Sequence, residues 1–316
     1  MSNDRLDATE SNRMAQCIRR VVNAIYEGCG QLAKPSQDSM AQADRDNTEL
    51  GRSGLPWGPV PVETYQSMLG FTAVALADHL HATSQLLLDD IDFGPMVMAR
   101  STVEAAGRIE WLLPLNDEAQ LTENLRSRVG RGLGLRVRGL RDNARNLSAL
   151  AAVEDPPRPE VLKAAQDAEA RVKEVLTLAH RLKYKTHRNT GTNEHEGLMG
   201  LREPTGDELT SEALSHLAVP VTASFFGLWS AIAHSTYDAL RSHLEIRTGA
   251  QTLGRPNTTV AARLVAAGLA TSAAVHALDA LIIYFGLDPT ARLALDAEVL
   301  PHIRSLFLRA VDENAV

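Results

Sequence analysis

Aromatic residues and cysteines are scarce in this chain. Of its 316 residues only 4% are aromatic, made up of six Phe, five Tyr and three Trp, and only two are Cys. Ala and Leu are abundant instead. Together with Arg and Glu, these residues lose little side-chain freedom in a helix. The composition therefore predicts an all-α protein.

The two cysteines are poorly placed for a disulfide. Cys17 and Cys29 lie 12 residues apart on one predicted helix. Because a helix rises about 1.5 Å per residue, the two thiols are too far apart to bridge. The N-terminal stretch MSNDRLDATESNR is polar, with no apolar run behind it. Reduced thiols and a cytoplasmic location are therefore expected.

An excess of basic charge is also lacking. The net charge is −7 and the pI is about 5.8. This balance excludes a global basic field for nucleic acid, although local patches remain open. The most apolar stretch, 264–287, carries His276 and Asp279 near its middle. Such polar residues favour a buried core helix over a membrane span, so no membrane partner is expected.

Helical spacing recurs along the chain, whereas strand alternation does not. It predicts a bundle of about eight or nine helices, several of them long. The predicted helices cover 9–33, 62–90, 93–115, 117–150, 159–187, the stretch TGDELTSEAL, 219–247, 258–287 and 289–312. Residues 1–60 are predicted as an N-terminal helix followed by a polar loop with Gly and Pro. Residues 61–316 are predicted as the bundle, with 117–187 a candidate protruding hairpin.

No metal or cofactor site is predicted. Asp89, Asp90 and Asp92 stand too close together to converge on Mg²⁺, so a turn with Asp92 as a helix cap is favoured. His79 and His81 are two residues apart and face opposite sides of a helix. The glycines of 130–139 follow no predicted strand, which argues against a dinucleotide fingerprint.

The predicted helix 117–150 is rich in arginine. It carries seven arginines between 126 and 145. The candidate nucleic-acid-binding residues share one broad face and are Arg131, Arg138, Arg141 and Arg145. The alternative is an ion-paired surface, with acidic partners in 117–123 and 159–187. For an acidic protein the ion-paired surface is favoured.

The predicted helix 93–115 poses a different problem, because it is apolar on every side yet carries a strip of charges. Arg100, Glu104 and Arg108 follow one another at steps of four. Buried unpaired charges cost several kcal/mol each, so Arg100 and Glu104 are expected to pair and to meet a second polar strip. Such a strip lies on the predicted helix 219–247 and consists of Ser230, His234, Asp238 and Arg241.

These strips define the candidate site. A buried cluster of Arg100, Glu104 and His234 is predicted, and these three are the candidate catalytic residues if the protein is an enzyme. The remaining candidates are predicted to bind a ligand or nucleic acid, and they are Ser230, Asp238 and Arg241. The alternative is that His234 lies on the exposed face of an amphipathic helix.

Two stretches carry a family resemblance. They are ARSTVEAAGRIEWL at 99–112 and LWSAIAHS at 228–235. They resemble uncharacterised bacterial all-helical proteins that have an A-R-x-x-x-E helix and a later S-x-x-x-H helix. These are similar to the HEPN (higher eukaryotes and prokaryotes nucleotide-binding) superfamily. The matching residues fall within 93–245 and are Ala99, Arg100, Glu104, Ser230, His234 and Ser235.

The resemblance implies a helical bundle that is frequently dimeric, with members that bind or cleave RNA. In nuclease members an arginine four to six residues from a histidine faces an RNA phosphate. No arginine precedes His234 at that spacing. A non-catalytic binding or regulatory protein is therefore the first prediction, with a homo-oligomer or another protein as partner. An RNA-directed nuclease or toxin acting in defence is the alternative.

Overall fold

The structure, a computed structural model, describes residues 8–47, 49–50, 60–91, 93–115, 124–153, 158–188, 195–198, 204–215 and 260–306. In these ranges the protein is the predicted all-α bundle. Its helices are α1 (Ala8–Gln31), α2 (Met40–Asp46), α3 (Pro61–Leu88), α4 (Gly94–Leu112), α5 (Leu125–Val153), α6 (Pro159–Arg181), α7 (Gly206–Ser215), α8 (Val260–Phe285) and α9 (Thr290–Glu298). A further helical segment covers 300–306.

The chain forms two compact units, each built from separate stretches of sequence. The first unit comprises Met1–Pro35, Gly70–Trp111 and Thr205–Val316, and the second comprises Ser36–Leu69 and Leu112–Pro204. The predicted boundary lay at residue 60, whereas here α1 belongs to the first unit and α2 to the second. α5 and α6, which span most of the predicted hairpin 117–187, pack against each other within the second unit.

The core of the first unit contains α1 and α8, which contact each other. α1 buries Met14, Ile18, Val21 and Ile25, which recur at helical spacing. α8 is apolar on all sides, with alanines and leucines buried along its length. Among the described helices, Ala262–Phe285 is the one long and apolar enough to cross a membrane. Of its most apolar stretch, 72% is buried inside the protein.

In the second unit, α3 and α5 come unusually close at Gly132. A Cβ atom at this position would lie 2.9–3.1 Å from atoms of Tyr65, closer than a real Cβ packs. The Tyr65 hydroxyl in turn donates to the Leu112 carbonyl at 2.9 Å. A glycine in the arginine-rich stretch thus serves helix packing.

The helix α2 was not predicted, because 34–60 was expected to be a loop. Ser39 caps this helix by accepting a hydrogen bond from the Gln42 backbone N–H at 3.1 Å. Ala41 and Asp44 are the buried residues of this helix. Seven residues are too few to show a helical period among polar neighbours, so capping and burial decide the structure here.

The helix predicted to reach residue 187 ends at Arg181, and a strand follows. Lys183 has a positive φ of 59°, which breaks the helix. Leu182 and Tyr184 are buried while Lys183 and Lys185 are exposed, an alternation typical of extended chain. β1 (Thr186–Arg188) then pairs antiparallel with β2 (His195–Leu198). In the described ranges this two-stranded sheet is the only one.

Candidate functional site

The first unit contains a groove between α3 and α4. Only a short turn separates these two helices, so they run antiparallel. The pocket has a volume of about 280 Å³. We call it the α3–α4 groove, and its lining residues are Phe71, Thr72, Ala75 and His79 from α3 and Ser101, Glu104, Ala105 and Arg108 from α4.

The charged strip of α4 borders this groove. Steps of four residues place Arg100, Glu104 and Arg108 on one face of the helix. The Arg100 Nε donates to Glu104 Oε1 at 2.9 Å. The side chains of Arg100 and Glu104 are 18% and 27% exposed. The pair was predicted to be buried, but it is half-buried, because the groove admits solvent to this side of α4.

Arg108 is the arginine of the α4 strip that remains after Arg100 has paired with Glu104. Its Nε is buried and has no hydrogen-bond partner among the residues that the structure describes. The carboxylate of Glu104, one helical turn away, is bound by Arg100 instead. A guanidinium keeps its proton at any physiological pH, and a buried donor left unsatisfied costs about 1–3 kcal/mol. The groove therefore presents a cationic donor that the described part of the chain does not satisfy.

Hydroxyl and imidazole groups complete the polar lining. Thr72 is buried, and His79 and Ser101 are half-buried. The Ser101 hydroxyl donates to the Val97 carbonyl at 3.4 Å. A long bond of this kind is weak and leaves the oxygen able to accept from a ligand. The groove thus combines donors and acceptors around one guanidinium.

Glu104 also faces the beginning of α7. A Cβ atom at Gly206 would lie 2.8 Å from Glu104 Oε1, so the Glu104 carboxylate lies directly against Gly206. The N-terminal N–H groups of a helix favour a nearby carboxylate. A capping box precedes them: the Thr205 N–H donates to Glu208 Oε2 at 2.7 Å, and the Glu208 N–H donates to Thr205 Oγ1 at 3.3 Å.

The contact between α4 and α7 continues along both helices. A Cβ atom at Gly107 would lie 2.1 Å from the Leu209 carbonyl oxygen, so the two backbones touch. One turn further along both helices, the negative charge of Glu212 acts on Glu110. Glu104–Gly206, Gly107–Leu209 and Glu110–Glu212 share one constant offset in sequence. α4 and α7 therefore run parallel.

Glu110 is a buried carboxyl in this contact. Burial, and next the negative charge of Glu212, raise the pKa of Glu110 to about 8. Near neutral pH the carboxyl is therefore mostly protonated. This protonation removes a negative charge from the interface between α4 and α7, where desolvation would make it costly.

The arginines predicted to bind nucleic acid lie on α5, in the second unit. Arg131 and Arg141 are half-buried, whereas Arg138 and Arg145 are exposed. Asp142 lies 3.8 Å from Arg138 Nε and 3.8 Å from Arg145 Nη1. These two exposed arginines therefore share an acidic neighbour, Asp142, which lies on α5 itself.

The polar strip of the predicted helix 219–247 lies outside the described residues. Ser230, His234, Asp238 and Arg241 belong to it, and so does Ser235. The proposed meeting of His234 with Arg100 and Glu104 stays a prediction. The described partner of Glu104 from another helix is α7.

The other sequence candidates take part in ordinary structural contacts. Cys17 and Cys29 are free thiols. Asp90 has a positive φ of 54° and accepts from the buried Arg263 Nη1 at 2.7 Å. In the ranges that the structure describes, no group of three or more His, Cys, Asp or Glu side chains is arranged to hold a metal ion.

Sequence reasoning missed four residues of the groove: Phe71, His79, Ser101 and Arg108. The strip of α4 already contained Arg108, and the predicted pairing of Arg100 with Glu104 is confirmed, but the sequence did not show that Arg108 lines a groove. A signal for His79 was present, since α3 and α4 were predicted as neighbours joined by a short turn. In an antiparallel pair, residues at similar distances from the turn face each other, which brings His79 towards Ser101.

No protein-family model matches this chain, and neither a curated protein nor a solved structure matches it.

Proposed function

We propose that the protein is a non-catalytic binding or regulatory protein, and that the α3–α4 groove holds a small anionic ligand. The Nε of Arg108, unsatisfied within the described ranges, carries this proposal. A carboxylate or phosphate oxygen in the groove would accept from the Arg108 guanidinium, and hydrogen bonds to a guanidinium are about twice as strong as neutral ones. The α4 strip has two arginines and one carboxylate, Glu104. The bound anion would also neutralise the remaining positive charge of this strip.

The groove offers little for acid–base catalysis. Its carboxylate, Glu104, is bound by Arg100 and faces the N-terminus of α7. Both neighbours hold this carboxylate in place. The guanidinium of Arg108 offers hydrogen-bond donors and no acceptor. Among the lining residues His79 carries the one imidazole. This inventory supports binding rather than turnover.

The alternative is a HEPN-like RNA-directed nuclease or toxin that acts in defence. What favours it is that His79 and Arg108 line the same groove. In the resembling nucleases a histidine moves protons while an arginine stabilises charge on the phosphate. Under either proposal a cytoplasmic bacterial protein that forms a homo-oligomer is expected, with RNA as the partner under the second.

The anion site is tested by thermal unfolding of the full chain with inorganic phosphate and with acetate. A ligand that binds only the folded protein stabilises it by about 2.7 kcal/mol at 100 times Kd, so the melting temperature should rise with anion concentration. Arg108→Gln should abolish the rise. Arg138→Gln, a change of an exposed arginine on α5, is the matched control and should retain it. Equal responses of wild type and Arg108→Gln would refute the proposal.

The nuclease alternative needs a separate assay. Purified protein is incubated with single-stranded RNA, and the products are resolved on a gel. We expect no cleavage. Cleavage by the wild type that His79→Ala and Arg108→Gln both abolish would replace the binding proposal with the enzymatic one.

A further inference from the structure

Phe71 is exposed to an unusual degree for an aromatic side chain. It is 73% exposed, the highest value among the large apolar side chains described on α3. It also lines the α3–α4 groove. Val74, one turn away, is partly exposed but does not line the groove. An exposed aromatic ring beside a polar pocket is typical of a binding surface.

The antiparallel arrangement places Phe71 at a particular end of the groove. Counted from the turn between α3 and α4, Phe71 and Thr72 lie about as far away as Arg108. His79 and Ser101 lie much nearer to the turn, at the other end. The exposed ring and the Arg108 guanidinium therefore share one end of the groove.

The middle of the groove is narrow but unfilled. Ala75 from α3 and Ala105 from α4 line it. Their methyl groups are small, so they leave space that larger side chains would fill. The volume of about 280 Å³ is slightly below the range of roughly 300–1,000 Å³ of most ligand pockets, so a small ligand is indicated.

We infer that the α3–α4 groove selects a small aromatic acid, a single ring bearing a carboxylate or a phosphate. The ring lies against Phe71 and the two alanines, and the acid group accepts from Arg108. This inference rests on the proposed anion site and adds the chemical class of its ligand. Aromatic pairs gain affinity beyond their buried area, so a ring should tighten binding about tenfold over the bare anion.

The test is titration of the full chain with matched acids, followed by calorimetry or by ligand-observed NMR for the weak binders. Benzoate and phenyl phosphate are compared with acetate, inorganic phosphate and cyclohexanecarboxylate. We expect each aromatic acid to bind about tenfold tighter than its bare anion and clearly tighter than the saturated ring. The stronger of benzoate and phenyl phosphate identifies the acid group.

Variants assign the preference to Phe71. Phe71→Leu, which keeps an apolar side chain, should remove the preference for benzoate over cyclohexanecarboxylate. Phe71→Ala should bring benzoate down to the affinity of acetate and leave inorganic phosphate unchanged. Val74→Ala is the matched control and should change neither. Arg108→Gln should weaken all the acids together, and melting curves confirm that each variant is folded.

The outcomes separate this inference from the proposed function. If acetate and phosphate bind through Arg108 but benzoate binds no tighter, the aromatic preference is refuted and the anion site stands. Equal affinity for benzoate and cyclohexanecarboxylate, or an unchanged preference in Phe71→Ala, refutes it as well. If no acid binds at all, the proposed function fails first.

Discussion

Each of the two units contains an arginine–carboxylate pair, and the two pairs differ in almost every respect. In the second unit Arg128 Nη2 contacts both oxygens of Asp44, at 2.7 and 3.0 Å, and the side chains are 5% and 9% exposed. In the first unit Arg100 and Glu104 are four residues apart, share one contact of 2.9 Å and remain half-buried. The Arg128–Asp44 pair joins α2 to α5, whereas the Arg100–Glu104 pair lies on α4 alone.

The difference shows two uses of the same chemistry. Arg128 and Asp44 neutralise each other inside the second unit, and their bond holds two separate stretches of chain together. The charged strip of α4 has two arginines for one carboxylate, Glu104, and Glu104 binds Arg100 rather than Arg108. The matched pair serves the fold, whereas the surplus Arg108 is the charge that the proposed anion would neutralise.

The largest effect is expected from Asp44→Ala. Removing one member of a buried pair strands the other charge, which costs about 3–5 kcal/mol of unfolding free energy. Denaturant unfolding followed by circular dichroism measures this loss. The control is Asp142→Ala on the exposed side of α5, which should cost about 0.5 kcal/mol or less. Equal effects of the two changes would remove the distinction between the pairs.

A pH-dependent effect of intermediate size is expected from Glu110→Gln. The pKa of Glu110 is raised in the folded protein, to about 8 from 4.5, so unfolding releases its proton. Its favourable contribution is complete below the unfolded pKa and disappears as pH rises through 8. As pH rises, the free energy of unfolding of the wild type should fall relative to that of Glu110→Gln. The fall should reach about 1.4 kcal/mol per pH unit, or roughly 2 kcal/mol between pH 6 and 8.

Parallel unfolding series at several pH values measure the slope. Because burial is the larger cause and the charge of Glu212 the smaller, Glu212→Gln should reduce the slope only in part. Parallel stability curves for wild type and Glu110→Gln would mean that the carboxyl is ionised in the folded protein.

The smallest loss of stability is expected from Glu104→Ala. Its pair with Arg100 is half-buried and solvent screens it, so removal should cost about 1 kcal/mol, far less than a sealed pair. Removing this negative charge should also strengthen phosphate binding in the groove, the opposite of Arg108→Gln. Calorimetry with inorganic phosphate tests the sign. Weaker phosphate binding in Glu104→Ala would place the anion away from the α4 strip.

Periodicity predicted the long helices well, because their apolar positions repeat over many turns. In α1 the repeat of Met14, Ile18, Val21 and Ile25 alone marks the side that is buried. Periodicity failed where few residues decide the backbone. α2 depends on one cap and two buried side chains, and the strand after α6 shows its alternation only at Leu182 and Tyr184.

The candidate site was predicted in part. Helical spacing placed Arg100 and Glu104 in contact and made Arg108 their neighbour. The contact of Glu104 with Gly206 of α7, about 100 residues further along the chain, was not predicted. Likewise, Arg128 is one of the seven arginines of the predicted helix 117–150, but its partner Asp44 lay in a predicted loop. Contacts between distant parts of the chain leave no mark in local spacing.

The discontinuous make-up of the first unit has a consequence for synthesis. About 230 residues separate the end of α1 from the start of α8, the helix it packs against. A ribosome that adds about 5–20 residues per second needs roughly 10–50 s to cover that distance. During this time the face of α1 that α8 will cover stays in water, whereas every residue of the second unit has been made once residue 204 is added. α1 is therefore the segment of the growing chain on which a chaperone should be found.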